Sequence, residues 1–327
     1  MIKNKSIDMA LHVGAKTLHE GRRSAFEKGQ KYIATFLNPE TGMLRDEYLE
    51  NRKCPVCDSD DAIEMFVKNG GTYVRCKSCS MVYFNPVFTD PALNTYYKDN
   101  TDAQADITAK ESTFYRSIYT HGLANIGNIT KPGDILDIGC SSGFFLDISR
   151  DFGWKTTGIE LNLKEAATAK NKGHRIFTVP IDQANLGENF DVIALWDVFE
   201  HIKDGSTFLQ VLRGHLAPQG IIFMQIPNSE SLAARILHER CNMFDGIEHV
   251  NLYAPTTIKR LAEKSDFEVA YMESVISEIP VINNYLHYDD PYYGSVPTAN
   301  SILNILDEQQ LHANYLGYKL QIVLRKK

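Results

Sequence analysis

From residue 134 onward, the hydrophobic pattern alternates between short apolar runs and longer amphipathic segments. The runs have the length of buried strands, and the segments between them have the character of helices. The predicted strands are 134–138, 155–159, 175–179, 190–195, 220–226, 267–272 and 318–324. The predicted helices are 144–151, 163–171, 206–216, 231–240 and 256–264. Such alternation is typical of βαβ units, so the pattern predicts an α/β fold with a largely parallel sheet.

The chain before this region has a different pattern. Residues 1–52 are amphipathic and are predicted to be mostly helical, with a charged face at His19, Glu20, Arg22 and Arg23. A hairpin is predicted from 63–67 and 72–75, because Asn69-Gly70-Gly71 supplies the positive φ angles of a tight turn. A helix is expected over about 108–127. The predicted organisation is an N-terminal helical segment (1–52), a small module with its linker (53–100) and a larger domain (101–327).

A long insertion interrupts the larger domain at about 276–314. Its chemistry-bearing residues are Tyr285, His287, Tyr288, Tyr292 and Tyr293. Insertions of this length in a compact domain are usually lids or mobile segments.

Composition narrows the class of protein. The chain has 327 residues, 43% hydrophobic and 23% charged, which suits a soluble globular protein of about two domains. Its strongest apolar run, 221–226, is far shorter than the ~18 residues that span a bilayer. Met1-Ile2-Lys3-Asn4-Lys5 lacks the apolar core of a secretory signal, so we expect a cytoplasmic protein. A net charge of −7 disfavours a broad nucleic-acid-binding surface.

Four of the six cysteines form two Cys-x2-Cys pairs, Cys54/Cys57 and Cys76/Cys79, with 18 residues between the pairs. In a chain without a secretory signal, this spacing indicates a zinc site rather than disulfides. Four thiolates leave no open coordination position, so the predicted zinc ion is structural. A redox pair would instead need a single Cys-x2-Cys on a thioredoxin-like unit.

The first strand of the larger domain runs into a glycine-containing turn, Asp137-Ile138-Gly139-Cys140-Ser141-Ser142-Gly143, before a helix. Glycine lets a ligand approach the bare backbone, and the free N–H groups of the helix start attract an electronegative group. The turn lacks the G-x-G-x-x-G of a dinucleotide fold. Glu160 closes the second strand, where a carboxylate can accept both hydroxyls of a ribose.

These residues, with Asp182, Trp196 and the segments around them, resemble the motif series of class I S-adenosylmethionine (SAM)-dependent methyltransferases over about residues 115–275. Ser141 stands where the family has its middle glycine. The resemblance implies a Rossmann-like sheet, parallel with an antiparallel final strand. It also implies these SAM-binding residues: Asp137, Gly139, Ser141, Gly143, Glu160, Leu161, Asp182, Gln183 and Trp196. A purely structural role stays open for Asp137 as a helix-cap partner, for Glu160 as a solvated charge and for Trp196 as a core residue.

Two histidine-bearing clusters are candidates for the acceptor side. Asp197, Glu200 and His201 follow the fourth strand and resemble the Glu-x-x-Glu-His segment of ubiquinone-biosynthesis O-methyltransferases, which implies a divalent-cation site. Asp197 replaces the first glutamate of that segment. The alternative is a helix start with a favourably placed Glu200 and a packed His201.

The second cluster, Glu248-His249, resembles a stretch of deoxysugar C-methyltransferases that also carry an N-terminal zinc module. There the Glu-His pair and a tyrosine assist proton removal, whereas Gly246 occupies the tyrosine position here. The resemblance implies that His249 is the base, assisted by Glu248; His201 of the first cluster is the second candidate for the base. The alternative is a loop histidine hydrogen-bonded to the backbone.

The expected function is methyl transfer from SAM to a small-molecule acceptor, such as a nucleotide-linked sugar or another precursor of polysaccharides or secondary metabolites. One alternative is methylation of RNA or protein, with the cysteine module gripping the substrate. Another is a non-catalytic binding module. The acceptor atom, the oligomeric state and the use of a catalytic metal stay open at the level of the sequence.

Overall fold

The computed structural model describes residues 32–99, 112–277, 279, 282–283, 286 and 302–327. Its strands are β1 (Leu49–Glu50), β2 (Ala62–Lys68), β3 (Gly71–Cys76), β4 (Val82–Phe84), β5 (Val87–Phe88), β6 (Asp134–Ile138), β7 (Lys155–Ile159), β8 (Arg175–Phe177), β9 (Phe190–Trp196), β10 (Leu216–Pro227), β11 (Asn251–Leu252), β12 (Phe267–Val275) and β13 (Lys319–Lys326). Its α-helices are α1 (Asp90–Asp99), α2 (Ser112–Gly127), α3 (Phe144–Asp151), α4 (Leu163–Asn171), α5 (Gly205–His215), α6 (Leu232–Leu237), α7 (Pro255–Lys264) and α8 (Glu308–Ala313).

The larger sheet has seven strands in the order β12-β13-β10-β9-β6-β7-β8. Strands β6 to β10 are mutually parallel, whereas β13 runs antiparallel to both β10 and β12. The chain leaves β6 first toward β7 and β8 and later returns to β9 on the other side. Ligands of open α/β sheets bind at the carboxyl ends of the strands beside such a reversal. The order and the antiparallel strand confirm the predicted Rossmann-like fold.

Helices cover both faces of this sheet. On one face, α2 and α3 bury a cluster that includes Phe145, Trp196 and Phe223. On the opposite face, apolar residues of α5 and α7 pack against the alternate side chains of the same strands. Cys54 and Val56 join that second core, so the cysteine module is seated on the sheet layer.

The smaller sheet is antiparallel, in the order β11-β4-β3-β2. Strands β2 and β3 form the predicted hairpin, with Asn69 at φ 51° and Gly70 at φ 80° in its turn. Strand β11 comes from residues 251–252, far along the chain, and pairs with β4. The cysteine module and the methyltransferase-like region therefore share one sheet.

Several element bounds differ from the prediction. Residues 34–52 hold one-turn 3-10 helices at Ala34–Phe36 and Asp46–Tyr48 and the short strand β1, rather than the helix predicted through 52. The chain turns here because Gly42 has φ 68° and Asn38 Oδ1 accepts the Glu40 N–H. The predicted helix 231–240 is divided, since α6 ends at Leu237 and a 3-10 turn covers His238–Arg240.

Some predictions fall outside the described residues. They include the charged face at 19–23 and the insertion residues Tyr285, His287, Tyr288, Tyr292 and Tyr293. In the described part of the insertion, a 3-10 helix at Ile302–Ile305 precedes α8. No helix in the described ranges combines the length and the apolarity needed to cross a bilayer.

Candidate cofactor and acceptor sites

The glycine-containing turn lies between β6 and α3, at the carboxyl edge of the sheet. Gly139 and Gly143 have φ of 75° and 80°, and a Cβ atom at Gly139 would lie 2.8 Å from Val198 Cγ2. Both positions thus need glycine for conformation, and Gly139 also needs it for space. The turn leaves bare backbone exposed to a ligand at the start of α3.

Ser141 takes a left-handed conformation, φ 48°, where the family motif has glycine. Its hydroxyl donates to Glu165 Oε2 at 2.9 Å, and its N–H donates to Glu160 Oε2 at 2.8 Å. These two hydrogen bonds offset the strain of a side chain at this φ. Glu165 was not identified from the sequence, where it is only one of several charged residues on the predicted helix 163–171.

Glu160 follows β7 and faces this turn. Besides the Ser141 N–H, its carboxylate accepts the Asn162 N–H at 2.7 Å. Burial raises the pKa of Glu160, although the backbone N–H groups oppose that effect. Each oxygen keeps a second lone pair, so the carboxylate can still accept hydroxyl donors from a ligand.

Asp137, at the end of β6, is 2% exposed, and its Oδ1 has no hydrogen-bond partner among the described residues. Burial, and next the charge of Glu160, raises the pKa of Asp137 well above its usual range. A buried carboxyl oxygen without a donor costs about 1–3 kcal/mol, so the position favours a ligand that brings one.

The other predicted cofactor residues lie around the same edge. Leu161, Asp182 and Gln183 have exposed side chains next to the ends of β7 and β8. Trp196 ends β9, but its ring is buried among Tyr119, Phe145 and Phe223 in the layer under α2. The structure thus brings Asp137, Ser141 and Glu160 together, while Trp196 packs in the core beside them.

The two histidine clusters, separate in the sequence, form one group. The rings of His201 and His249 lie 5.0 Å apart in an edge-to-face arrangement. Ligand atoms of Glu200, His201 and His249 all lie within 4.8 Å of one another. Glu200 and His201 occupy a 3-10 turn, Phe199–His201, just after β9, so the group sits at the edge of the sheet where β6 ends.

Burial dominates the electrostatics of this group. Burial and the neighbouring charge of Asp197 raise the pKa of Glu200 to about 8. Burial and the proximity of His249 lower the pKa of His201 to about 3. Both Glu200 oxygens and His201 Nδ1 lack partners among the described residues. At neutral pH the group therefore contains a neutral imidazole and a largely protonated carboxyl.

His249 is oriented by the backbone. Its Nδ1 donates to the Met243 carbonyl at 2.7 Å, which leaves the lone pair on Nε2. The backbone hydrogen bond foreseen as an alternative is thus present, and it prepares the opposite nitrogen for chemistry. The Asp245 carboxylate accepts the N–H groups of Ile247, Glu248 and His249, which shapes the loop.

Two predicted members lie outside the three-residue group. Asp197 pairs with Lys319 Nζ at 2.9 Å, so its carboxylate already has a cationic partner. Glu248 supplies none of the three clustered ligand atoms; the carboxyl group of the cluster is that of Glu200. Lys319 lies on the final strand, and no sequence motif pointed to it.

The four predicted zinc ligands converge as well. Their Sγ atoms lie within 4.8 Å of one another, with Cys54–Cys79 and Cys57–Cys76 each at 3.5 Å. A Zn–S bond of about 2.3 Å requires sulfur–sulfur edges of about 3.8 Å in a tetrahedron, so the cluster fits zinc. Burial by itself would raise the pKa of Cys76. The backbone N–H groups of Cys79 and Ser78 act in the opposite direction, and the pKa of Cys76 is lowered overall.

Residues 112–271 match the family model described as a methyltransferase domain. Among curated proteins, the chain is 30% identical over 102 residues to a ubiquinone biosynthesis O-methyltransferase of Bartonella tribocorum, covering 29% of this chain and 41% of that protein. The ubiquinone biosynthesis O-methyltransferase of Caulobacter vibrioides is 33% identical over 102 residues, covering 29% of this chain and 40% of that protein. The chain thus spans about two fifths of the length of these relatives.

Solved structures similar to this chain include a possible histamine N-methyltransferase from Thermotoga maritima. It has 16% identity and a TM-score of 0.43, covering 64% of this chain and 89% of that one. Another is the N-methyltransferase NodS from Bradyrhizobium japonicum in complex with S-adenosyl-L-homocysteine (SAH), with 16% identity, a TM-score of 0.42 and coverage of 64% and 86%.

Proposed function

We propose that this chain, whose residues 112–271 match the methyltransferase-domain family model, transfers a methyl group from SAM to a small-molecule acceptor. The observation that carries the proposal is the carboxylate of Glu160 held against the Gly139–Gly143 turn at the carboxyl ends of β6 and β7. An acidic side chain and bare backbone at this place suit a ribose and its adjoining polar groups.

On the donor side, each residue has a separate role. Glu160 accepts the ribose hydroxyls, and Gly139 and Gly143 allow the donor to press against the backbone. The orphaned Oδ1 of Asp137 suits the ammonium group of the methionine part of SAM. Leu161, Asp182 and Gln183 border the adenine, and Trp196 supports the turn from the core through its contact with Phe145.

On the acceptor side, the His201–His249–Glu200 group handles the proton. SAM supplies an electrophilic methyl group on a sulfonium, and the lone pair of the acceptor forms the new bond as the methyl–sulfur bond breaks. The acceptor proton passes to Nε2 of His249, whose Nδ1 is already engaged by Met243. Glu200, which is protonated and buried, donates a hydrogen bond to the acceptor. Glu248 belongs to the loop that carries the base His249.

A divalent cation is a second arrangement for the same group. The convergence of one carboxylate and two imidazoles within 4.8 Å favours it. Its ligands would be Glu200, His201 and His249 rather than the Asp197, Glu200 and His201 implied by the sequence resemblance, because Lys319 occupies Asp197. Histidine nitrogens suit zinc-like ions better than magnesium.

The acceptor class is proposed from the named relatives and from the sequence resemblance. The curated relatives are named for O-methylation in ubiquinone biosynthesis, and the sequence resemblance favours a nucleotide-linked sugar or a related precursor. We propose a hydroxyl- or carbonyl-bearing small molecule of these kinds.

The rival role in RNA or protein recognition loses support from the cysteine module itself. Three of its basic side chains are already engaged, Lys53 with Asp60, Lys77 with Asp61 and Lys68 with the Glu239 carbonyl. We propose that Cys54, Cys57, Cys76 and Cys79 hold a structural zinc ion and that the module acts within the chain.

Calorimetry with SAM and SAH tests the donor site. We expect binding of both ligands, and at least tenfold weaker binding in Glu160→Gln. Absence of heat with either ligand in the intact protein would favour a non-catalytic module.

Turnover tests the acceptor group. Production of SAH is measured with a catechol and with a nucleotide-linked sugar as acceptors. His249→Asn is expected to lose at least a hundredfold in turnover, whereas His238→Asn, a change at an exposed histidine, is expected to lose none. Full turnover of His249→Asn would remove that residue from the mechanism.

A further inference from the structure

The β2–β3 hairpin of the cysteine module lies directly against the loop of residues 241–250, which carries His249. Strand β11 follows that loop and pairs with β4, with Asn251 opposite Tyr83 and Leu252 opposite Val82. The loop therefore leads into the module's own sheet. Phe244 of the loop packs edge-on against Phe66 and Tyr73 of the hairpin, with ring centroids 4.8 Å and 5.2 Å away.

Hydrogen bonds from the hairpin bracket His249. The hydroxyl of Tyr73, a fully buried residue, donates to the His249 carbonyl at 3.2 Å and accepts the Gly246 N–H at 3.1 Å. Asn69 Nδ2 donates to the Asp245 carbonyl at 2.7 Å. These contacts secure the backbone at the start of the loop and at His249 itself.

The approach of the hairpin to the loop is close. Gly246 has φ 81°, and a Cβ atom there would lie 2.4 Å from the Lys68 carbonyl oxygen. Glycine therefore stands where the sequence resemblance placed a catalytic tyrosine, because the hairpin occupies the space of any side chain.

Arg52, the residue directly before the module, connects the two backbone segments that follow His201 and His249. Its guanidinium donates to the Lys203 carbonyl, just beyond His201, and to the Val250 carbonyl, just beyond His249. Asn251 adds a hydrogen bond to the Ile202 carbonyl at 2.6 Å. The module thus spans the two segments that bring His201 and His249 together.

We propose that the β2–β3 hairpin of the cysteine module positions His249 for catalysis, with Tyr73 and Asn69 as positioning residues. The inference rests on the proposed function, which places His249 at the acceptor. The module then has an intramolecular role, because it holds the acceptor loop at a constant distance from the donor edge of the larger sheet.

Tyr73→Phe tests the inference in the full-length protein, with Tyr83→Phe as its matched control. Tyr83 is a buried tyrosine of the same sheet, and in the described part of the chain its hydroxyl makes no hydrogen bond to residues 241–250. Loss of the two Tyr73 hydrogen bonds should accelerate amide exchange of residues 244–250 about tenfold. When an acceptor is identified, the kcat of Tyr73→Phe should fall about tenfold, while its acceptor KM and its Kd for SAM change less than twofold.

Asn69→Gly provides a second variant, since glycine tolerates the positive φ of that position and the change removes only the amide. It should accelerate exchange of the same amides. Unchanged exchange of residues 244–250 in both variants, or equal effects in Tyr83→Phe, would overturn the inference. Because exchange needs neither donor nor acceptor, its outcome is independent of SAM binding, whose absence would instead overturn the proposed function.

Discussion

Glu200→Gln is expected to remove a pH dependence from the stability of the fold. The carboxyl of Glu200 is fully buried, and its oxygens have no partner among the described residues. Glutamine keeps the size of the protonated acid but cannot ionise. The difference in unfolding free energy between the variant and the wild type therefore isolates the titration of this group.

The sign and the magnitude follow from the pKa. Burial raises the pKa of Glu200 from 4.5 to about 8, so the folded state holds the proton more firmly than the unfolded state does. The resulting stability is complete below about pH 4.5 and is lost as the pH rises through about 8. At about 1.4 kcal/mol per pKa unit, the wild type should lose about 4 kcal/mol relative to Glu200→Gln between pH 5 and pH 8.

Urea unfolding at pH 5, 6, 7 and 8 measures the difference. The two proteins should have similar stability at pH 5, and Glu200→Gln should be the more stable at pH 8. Glu263→Gln, at an exposed position on α7, is the control for loss of one charge and should follow the wild type throughout. Parallel pH curves for Glu200→Gln and the wild type would refute the argument that Glu200 is protonated in the folded state.

Three further changes test other parts of the molecule. Gly139→Ala places a Cβ atom 2.8 Å from Val198 at φ 75° and should weaken SAM binding, measured by calorimetry, at least tenfold. Gly127→Ala, where the added Cβ has open space, should leave SAM binding unchanged. Equal affinities of the two variants would contradict the role of the Gly139–Gly143 turn in donor binding. Ser141→Ala removes the hydrogen bond to Glu165 and should lower the unfolding free energy by about 1 kcal/mol, whereas an effect no larger than that of Ser142→Ala would count against this role. Cys76→Ser should reduce the zinc content, measured by atomic emission, from one ion per chain to nearly none, while Cys241→Ser keeps it; retained zinc in Cys76→Ser would argue against a four-thiolate site.

The sequence by itself determined the layered fold and predicted which residues lie together at the carboxyl edge of the larger sheet. Apolar runs such as 190–195 and the amphipathic segments between them predicted the strands and helices of the larger sheet, because burial of one face or both sets the period of the pattern. Asp137, Gly139 and Glu160 were predicted to lie near one another because the ends of adjacent parallel strands meet at one edge of the sheet. The doubled Cys-x2-Cys spacing likewise brought four thiols together.

Only the tertiary structure brought Glu200, His201 and His249 together. His201 and His249 are 48 positions apart, and no local pattern places one beside the other; their contact depends on Arg52 and on the pairing of β11 with a strand from the cysteine module. Lys319 meets Asp197 because β13 enters the sheet antiparallel beside β10. Contacts of this kind arise from long-range packing, and neither hydrophobic period nor motif spacing encodes them.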